Sequence, residues 1–367
     1  MERTERGEPP RLGSRRRADR ERQLPGGGAG CLLDKAAEAK EERVLVMRVL
    51  VIGAGAVGGW LAGVLARGGA EVAVLARGAA LAAIRADGLA LIEGGRRETF
   101  RPAASDSAAG LPRPDAVVLA VKTYAFAEAA AAAAPALRHG PLLVTAMNGL
   151  PWWFLDGLAG PLAGAGLDAI DPGGRAAGLL AEARPVGAVV HASTRAEAPG
   201  VIRVVATDRL ILGEPGGGAA PRTAELARLV AAGGVSCPVT AEIRTEIWAK
   251  LWGNASMNPV SAIVRRSAQG LFADPHLSEL LRTLMHEFAR VGDRLGLTLP
   301  MTVDERLAVT AKLGDFRTSM LNDAEAGRPL EVDGLLGVVV ELAEKLGEPV
   351  PASRAVYALA RGINPGA

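Results

Sequence analysis

Cysteine is nearly absent: Cys31 and Cys237 are the only two in 367 residues. Two thiols cannot build a disulfide scaffold or a Cys-rich zinc site, and they fit a reducing, cytoplasmic compartment. Histidine is scarce too. His139, His191, His276 and His286 have no ligand spacing, so no metal is expected and each reads as a satisfied or surface side chain. No stretch reaches the ~18 uninterrupted apolar residues of a membrane span, which argues against a membrane partner. The sequence lacks the HExxH helix of zinc proteases and the nucleophile elbow of hydrolases. It also lacks an excess of charge. The net +2 lies wholly in residues 1–46, which hold 11 Lys+Arg against 9 Asp+Glu, while residues 47–367 hold 31 of each. A formally neutral body has no basic field for nucleic acid. Residues 1–46 have no apolar signal region, and their acidic residues argue against a transit peptide. They read either as a disordered leader or as the product of a start codon upstream of a true initiator, Met47.

What is present is a core. With 49% hydrophobic residues, the chain can bury one, and its length suggests two domains. From 47 to 239, short apolar runs alternate with helical segments, the pattern of a parallel α/β sheet. RVLVI at 48–52, EVAVLA at 71–76, DAVVLAV at 115–121 and PLLVTAM at 141–147 read as strands. The runs GAVVHA, GVIRVV and DRLILG within 187–213, separated by turn residues, suit antiparallel strands, and a helix is expected at 219–233. From about Thr240 to Leu359 the strands vanish and apolar residues recur at helical spacing, with breaks expected at Pro259, Pro275, Pro300 and Gly327-Arg328-Pro329. The region 240–367 therefore reads as a second, helical domain.

Gly53-Ala54-Gly55-Ala56-Val57-Gly58 ends the first strand and opens an apolar helix, the context in which a GxGxxG pattern signifies dinucleotide binding. The first glycine permits the turn, the second lets pyrophosphate approach, and the third allows helix and strand to pack closely. The second strand ends at Arg77 instead of an acidic residue, which favours the 2′-phosphate of NADPH over the 2′-hydroxyl of NAD; a solvated arginine is the alternative. Lys122 and Asn148-Gly149 follow the next two central strands, where such sheets line their ligand crevice. Lys250, Asn254 and Asn258 stand at i, i+4, i+8 and share one helix face, beside Trp248, Leu251 and Trp252. An amine and two amides next to aromatics make a poor core and a good substrate wall. A partly desolvated lysine can serve as a general acid. On their own, Thr318-Ser319-Met320 and Glu331-Val332-Asp333 read as solvated surface.

Taken together, GAGAVGG, VKTY, the Asn-Gly, KLWGNASMNP and TSM…EVDGLLG resemble the ketopantoate reductase family, from Met47 to about Leu359. The resemblance implies a Rossmann-type N-terminal domain and an all-helical C-terminal domain of the 6-phosphogluconate dehydrogenase kind. It implies NADPH-dependent reduction of the 2-oxo acid 2-dehydropantoate to (R)-pantoate, with Lys250 as proton donor. Asn254, Asn258 and Ser319 would bind substrate, Asn148 would touch both ligands, and Lys122 and Glu331 would contact the cofactor region. A homodimer is compatible with this reading. The sequence departs from the family at Met147, where glutamine is frequent, and at Arg265-Arg266-Ser267-Ala268, where a substrate asparagine of some members is missing. The rival readings are a reductase of another 2-oxo acid and a non-catalytic NADP-binding sensor.

Overall fold

A computed structural model of the chain describes residues 46–312 and 314–365. Apart from Val46, the segment expected to be a leader lies outside them.

The first strand, β1 (Arg48–Ile52), shows why its sequence is apolar throughout. Val49 and Val51 enter one core while Leu50 and Ile52 enter another on the opposite face of the sheet. A strand buried on both faces cannot alternate polar with apolar residues. The chain continues through α1 (Ala56–Arg67), β2 (Glu71–Leu75) and α2 (Gly78–Asp87). Three short strands follow, β3 (Leu89–Glu93), β4 (Arg96–Phe100) and β5 (Ala103–Ser105). Then come β6 (Ala116–Leu119), α3 (Phe126–Leu137), β7 (Leu142–Thr145) and α4 (Arg175–Leu179). The sheet half closes with β8 (Arg184–Ala198), β9 (Val201–Gly213) and α5 (Pro221–Ala232).

All nine strands form one sheet in the order β4-β3-β9-β8-β7-β6-β1-β2-β5. β1 has β2 on one side and β6 on the other, both parallel to it. The chain thus reverses its direction of travel across the sheet between β1 and β6, and a crevice opens at the carboxyl ends of those strands. The structure also corrects the reading of 187–213. Two long antiparallel strands replace three runs: Pro199-Gly200 makes the hairpin turn, whereas Thr207-Asp208 is a bulge. His191 opposes Arg209 and Ala192 opposes Thr207, so Asp208 has no partner across the ladder.

The helical half contains α6 (Ile243–Val264), α7 (Ala268–Phe272), α8 (Pro275–Arg294) and α9 (Val303–Ala311). It ends with α10 (Ser319–Glu325), a π-turn at Asp333–Gly337, α11 (Val338–Leu346) and α12 (Pro351–Gly362). α6 is its axis, packed by α8, α10, α12 and β8. The break expected at Pro259 does not occur, because that proline sits inside α6. A helix-interior proline costs ~3 kcal/mol or more. Here every residue from Ala255 to Ala262 is buried, and the packing of that segment offsets the lost backbone bond. Trp248 lies between Phe154 and Phe288, with ring centroids 6.1 and 4.1 Å away, and the Trp252 indole donates to the Met285 carbonyl at 3.0 Å.

The loop that carries Trp152 and Trp153 packs inward. Trp153 is buried, and Trp152 stacks on Phe126. Arg244, in the first turn of α6, ties this loop down. Its guanidinium donates to the carbonyl of Phe154 at 2.9 Å and to those of Asp156 and Pro215, and it lies 5.6 Å from the Trp153 ring centroid. Arg244→Ala strands these carbonyls and is expected to lower stability by about 2 kcal/mol, read as a fall in the urea midpoint at unchanged m-value.

Candidate active site

At the crevice each fingerprint glycine does a different task. Gly53 has φ +99°, and a Cβ there would stand 2.6 Å from the Ala120 carbonyl oxygen at the end of β6. Gly58 lies against Gly53 itself: a Cβ would come within 1.9 Å of the Gly53 oxygen. Around Gly55 a Cβ would meet nothing within 4 Å, so this is the side left open for a ligand. No side chain caps α1 at Gly55 and its first turn has no acidic residue. The leading N–H groups and the positive end of the helix dipole face that opening, with Ala54, Ala56 and Val57 as the loop's remaining members. These residues fit a pyrophosphate. Arg77 stands before α2 at the end of β2, exposed and paired with the equally exposed Glu128 of α3. An exposed pair of this kind contributes little, so it yields readily to a competing anion.

Lys122 and Glu331, expected near the cofactor, bond to each other. The Lys122 ammonium donates to Glu331 Oε2 and to Asp323 Oδ2, each at 2.9 Å. The other Glu331 oxygen accepts the Thr123 backbone N–H at 3.0 Å, and Asp323 Oδ1 accepts from Arg328 Nε at 2.9 Å. Burial pushes the Lys122 pKa down, but the charges of Glu331 and Asp323 outweigh it and hold the amine above the usual lysine range. Both carboxylates are nearly inaccessible, at 5% and 7% exposure, and both come from the helical half. Backbone contact reinforces the junction. Gly149, at φ +84°, presses on Gly334 of the π-turn, where a Cβ would stand 2.4 Å from the Gly334 oxygen. Gly334 in turn fits against Thr123, whose side chain would lie 2.5 Å from a Cβ placed there. Asn148, half-buried, is the residue just before this contact.

The α6 row lies beside that junction. Lys250 is partly buried and makes no ion pair among the described residues. Burial lowers its pKa to about 8, with Glu331 pulling the other way. Asn254 is partly exposed, and Asn258, at 6% exposure, is buried. Ser319 is exposed at the first position of α10, which packs on α6; its neighbour Thr318 is the capping residue, accepting from the Leu321 N–H at 3.1 Å.

Three neighbours of these groups drew no functional reading from the sequence. Asp323 stands four residues after Ser319 in no motif, and its only sequence hint was the neighbouring Gly-Arg-Pro break. His191 lies within electrostatic reach of Lys250; burial first, then Lys250 and Arg209, push its pKa down to about 4, so it is neutral. Arg306 of α9 is close to Gly253 of α6. Among the described residues, no group of three or more His, Cys, Asp or Glu could hold a metal ion, and no helix is long and apolar enough to cross a membrane.

Two family models match the chain. The one described as ketopantoate reductase PanE/ApbA covers residues 49–217, and its C-terminal counterpart covers 242–364. The chain belongs to the ketopantoate reductase family. It is 42% identical to the 2-dehydropantoate 2-reductase of Mesorhizobium japonicum over 318 residues, 86% of this chain and 98% of that one. Among solved structures, it superposes with TM-score 0.82 on a Ralstonia solanacearum protein provisionally assigned as a ketopantoate reductase, at 41% identity, covering 87% of this chain and 98% of that one. A PanE/ApbA family ketopantoate reductase from Ralstonia eutropha gives TM-score 0.74 at 30% identity, over 86% and 98%. Family and geometry agree on an oxidoreductase with the Rossmann-type sheet and helical half expected from the sequence.

The glycine geometry yields a paired expectation. Gly58→Ala drives a methyl into the Gly53 carbonyl and is expected to lower stability by more than about 2 kcal/mol in chemical denaturation. Gly55→Ala adds its methyl to open space and leaves stability within about 0.5 kcal/mol, while weakening dinucleotide affinity in calorimetric titration by about 1–3 kcal/mol.

Proposed function

We propose that the chain reduces the C2 ketone of 2-dehydropantoate to (R)-pantoate with NADPH, and that Lys250 supplies the proton. A reduced nicotinamide dinucleotide, held by its pyrophosphate at the Gly53–Gly58 loop, would supply the hydride for the ketone carbon. Negative charge then grows on the ketone oxygen, and the Lys250 ammonium, hydrogen-bonded to it, stabilises the charge and passes its proton. The observation that carries this reading is the placement of Lys250: partly buried on α6, on one face with Asn254 and Asn258, where burial lowers its pKa to about 8. At neutral pH it is mostly protonated and still close to its titration point, as a general acid should be. Asn254 and Asn258, one and two turns along the same face, would hold the substrate's carboxylate and hydroxyl so that the ketone lies against the amine. Ser319 and Asn148 would complete that grip, Asn148 from the sheet side. Lys122 and Glu331 act as the floor, because their own bonds fix the segment after β6. For the cofactor, Arg77 would leave Glu128 and pair with the 2′-phosphate.

A non-catalytic sensor needs no proton donor, and the cost of keeping an amine partly desolvated argues against that alternative. The deciding experiment follows NADPH oxidation against a panel of 2-oxo acids that includes 2-dehydropantoate, in wild type and Lys250→Met. Wild type should prefer 2-dehydropantoate, and the variant should lose 10²–10⁴-fold in kcat, on the order expected for a missing general acid, while retaining NADPH affinity and its folded stability. Good turnover of a different acid would replace the substrate, and unchanged turnover by Lys250→Met would remove the lysine from the chemistry. Arg77→Ala should narrow the preference for NADPH over NADH in kcat/KM; equal efficiency of the two cofactors with wild type would refute its role.

A further inference from the structure

Arg306 has no place in the machinery described so far, and its surroundings are unusual. Its guanidinium is partly buried and forms no ion pair or side-chain hydrogen bond with the described residues, and its Nε is a fully buried donor without an acceptor. Burial accordingly lowers its pKa. An uncompensated buried charge is costly, whereas Arg282 of the adjoining α8 pairs with Glu279 and Asp304.

The position of the group is specific. Arg306 Nη2 fills the space that a Cβ on Gly253 would occupy, at 2.6 Å. Gly253 stands three residues after Lys250 and directly before Asn254, so it borders the amine-and-amide row on the helix surface. A side chain at 253 would push the guanidinium aside. Both cations also act on His191 of β8, where burial first and then neighbouring positive charge, Lys250 and Arg306 included, lower the pKa. The acidic group that offsets Lys250 is Glu331, and none acts on Arg306.

We infer that Arg306 is the anchor for the substrate's carboxylate, so that the site selects 2-oxo acids by a guanidinium–carboxylate pair that flanks the α6 row. The inference rests on the reading of Lys250 as the group facing the ketone. A planar guanidinium with free N–H groups matches a carboxylate in a bidentate pair and adds the positive charge that the neutral amides of the row lack. The ligand's carboxylate would be taken by the terminal Nη groups, while Nε stays buried. Arg306 is a binding and specificity residue in this account, and the proton still comes from Lys250.

The test compares wild type, Arg306→Met and Arg306→Lys on 2-dehydropantoate and on its uncharged methyl ester, with NADPH saturating. Pantoate affinity is measured separately by calorimetry in the presence of NADP+. Arg306→Met should raise KM for the acid by about 100-fold, the scale for losing a desolvated charge pair, and weaken pantoate to a similar degree. Its KM for NADPH should stay within about twofold, its KM for the ester should barely move, and the acid-over-ester preference should collapse. Arg306→Lys should recover part of that preference. Gly253→Ala displaces the guanidinium without removing it and should shift selectivity in the same direction, which keeps the idea testable should Arg306→Met fail to fold. An unchanged acid-over-ester ratio in a folded Arg306→Met or Gly253→Ala enzyme overturns the inference alone. Wild type that turns over no 2-oxo acid overturns the underlying reading of the site, and the inference with it.

Discussion

One polar cluster sets how the parts of this molecule meet. Lys122, just past the carboxyl end of β6, holds two carboxylates from the helical half, and one of them also takes the Thr123 N–H. Such a cluster adds little net stability, because desolvating three charges consumes most of what their attraction returns. Its value is register. The bonds are directional, Arg328 balances the second acid, and the bare backbones of Gly149 and Gly334 touch with no room for a side chain between them. A slip of the helical half along the sheet would break several of these contacts together. Asn148 and the α6 row therefore hold a fixed relation to the crevice.

The same cluster tunes the amine. Burial depresses the Lys250 pKa and Glu331 opposes it, and the balance leaves the group titrating at about 8. Neutral His191 adds no charge of its own on the β8 side. Tuning has a cost in folding. Between about 8 and the ordinary lysine value of 10.5 the unfolded chain holds this proton and the folded chain does not, so this residue's contribution makes stability rise with pH across that window. At neutral pH the buried ammonium is a net burden that the packed helices around α6 support.

Much of this was legible in the sequence. Strands buried on both faces announce themselves as unbroken apolar runs, and the three fingerprint glycines occupy the three steric situations their spacing implied. The Lys250–Asn254–Asn258 row was legible because a helical period needs only counting. Edge elements were not: β4 reads Arg-Arg-Glu-Thr-Phe, half exposed, and follows no apolar rule. Pro259 misled because local propensity was outweighed by burial on every side of α6. Thr207-Asp208 has the composition of a turn and folds as a bulge, a distinction that only the opposing strand decides. Asp323, His191 and Arg306 were beyond reach for a shared reason. Each matters through a neighbour distant in sequence, and Lys122 stands 201 residues from Asp323. Ser319 and Glu331 were picked out through family resemblance, since hydroxyls and carboxylates at such spacing are ordinary on surfaces.

The central claim is that a desolvated Lys250 must carry a proton for reduction to proceed. The most direct measurement is the pH dependence of kcat/KM for 2-dehydropantoate reduction, which reports groups titrating in the enzyme before substrate binds. A plateau is expected through neutral pH, with a tenfold fall per pH unit above about 8, set by the amine's loss of its proton. A profile that stays flat to the ordinary lysine range, or one whose alkaline limb persists unchanged in Lys250→Met, would contradict it.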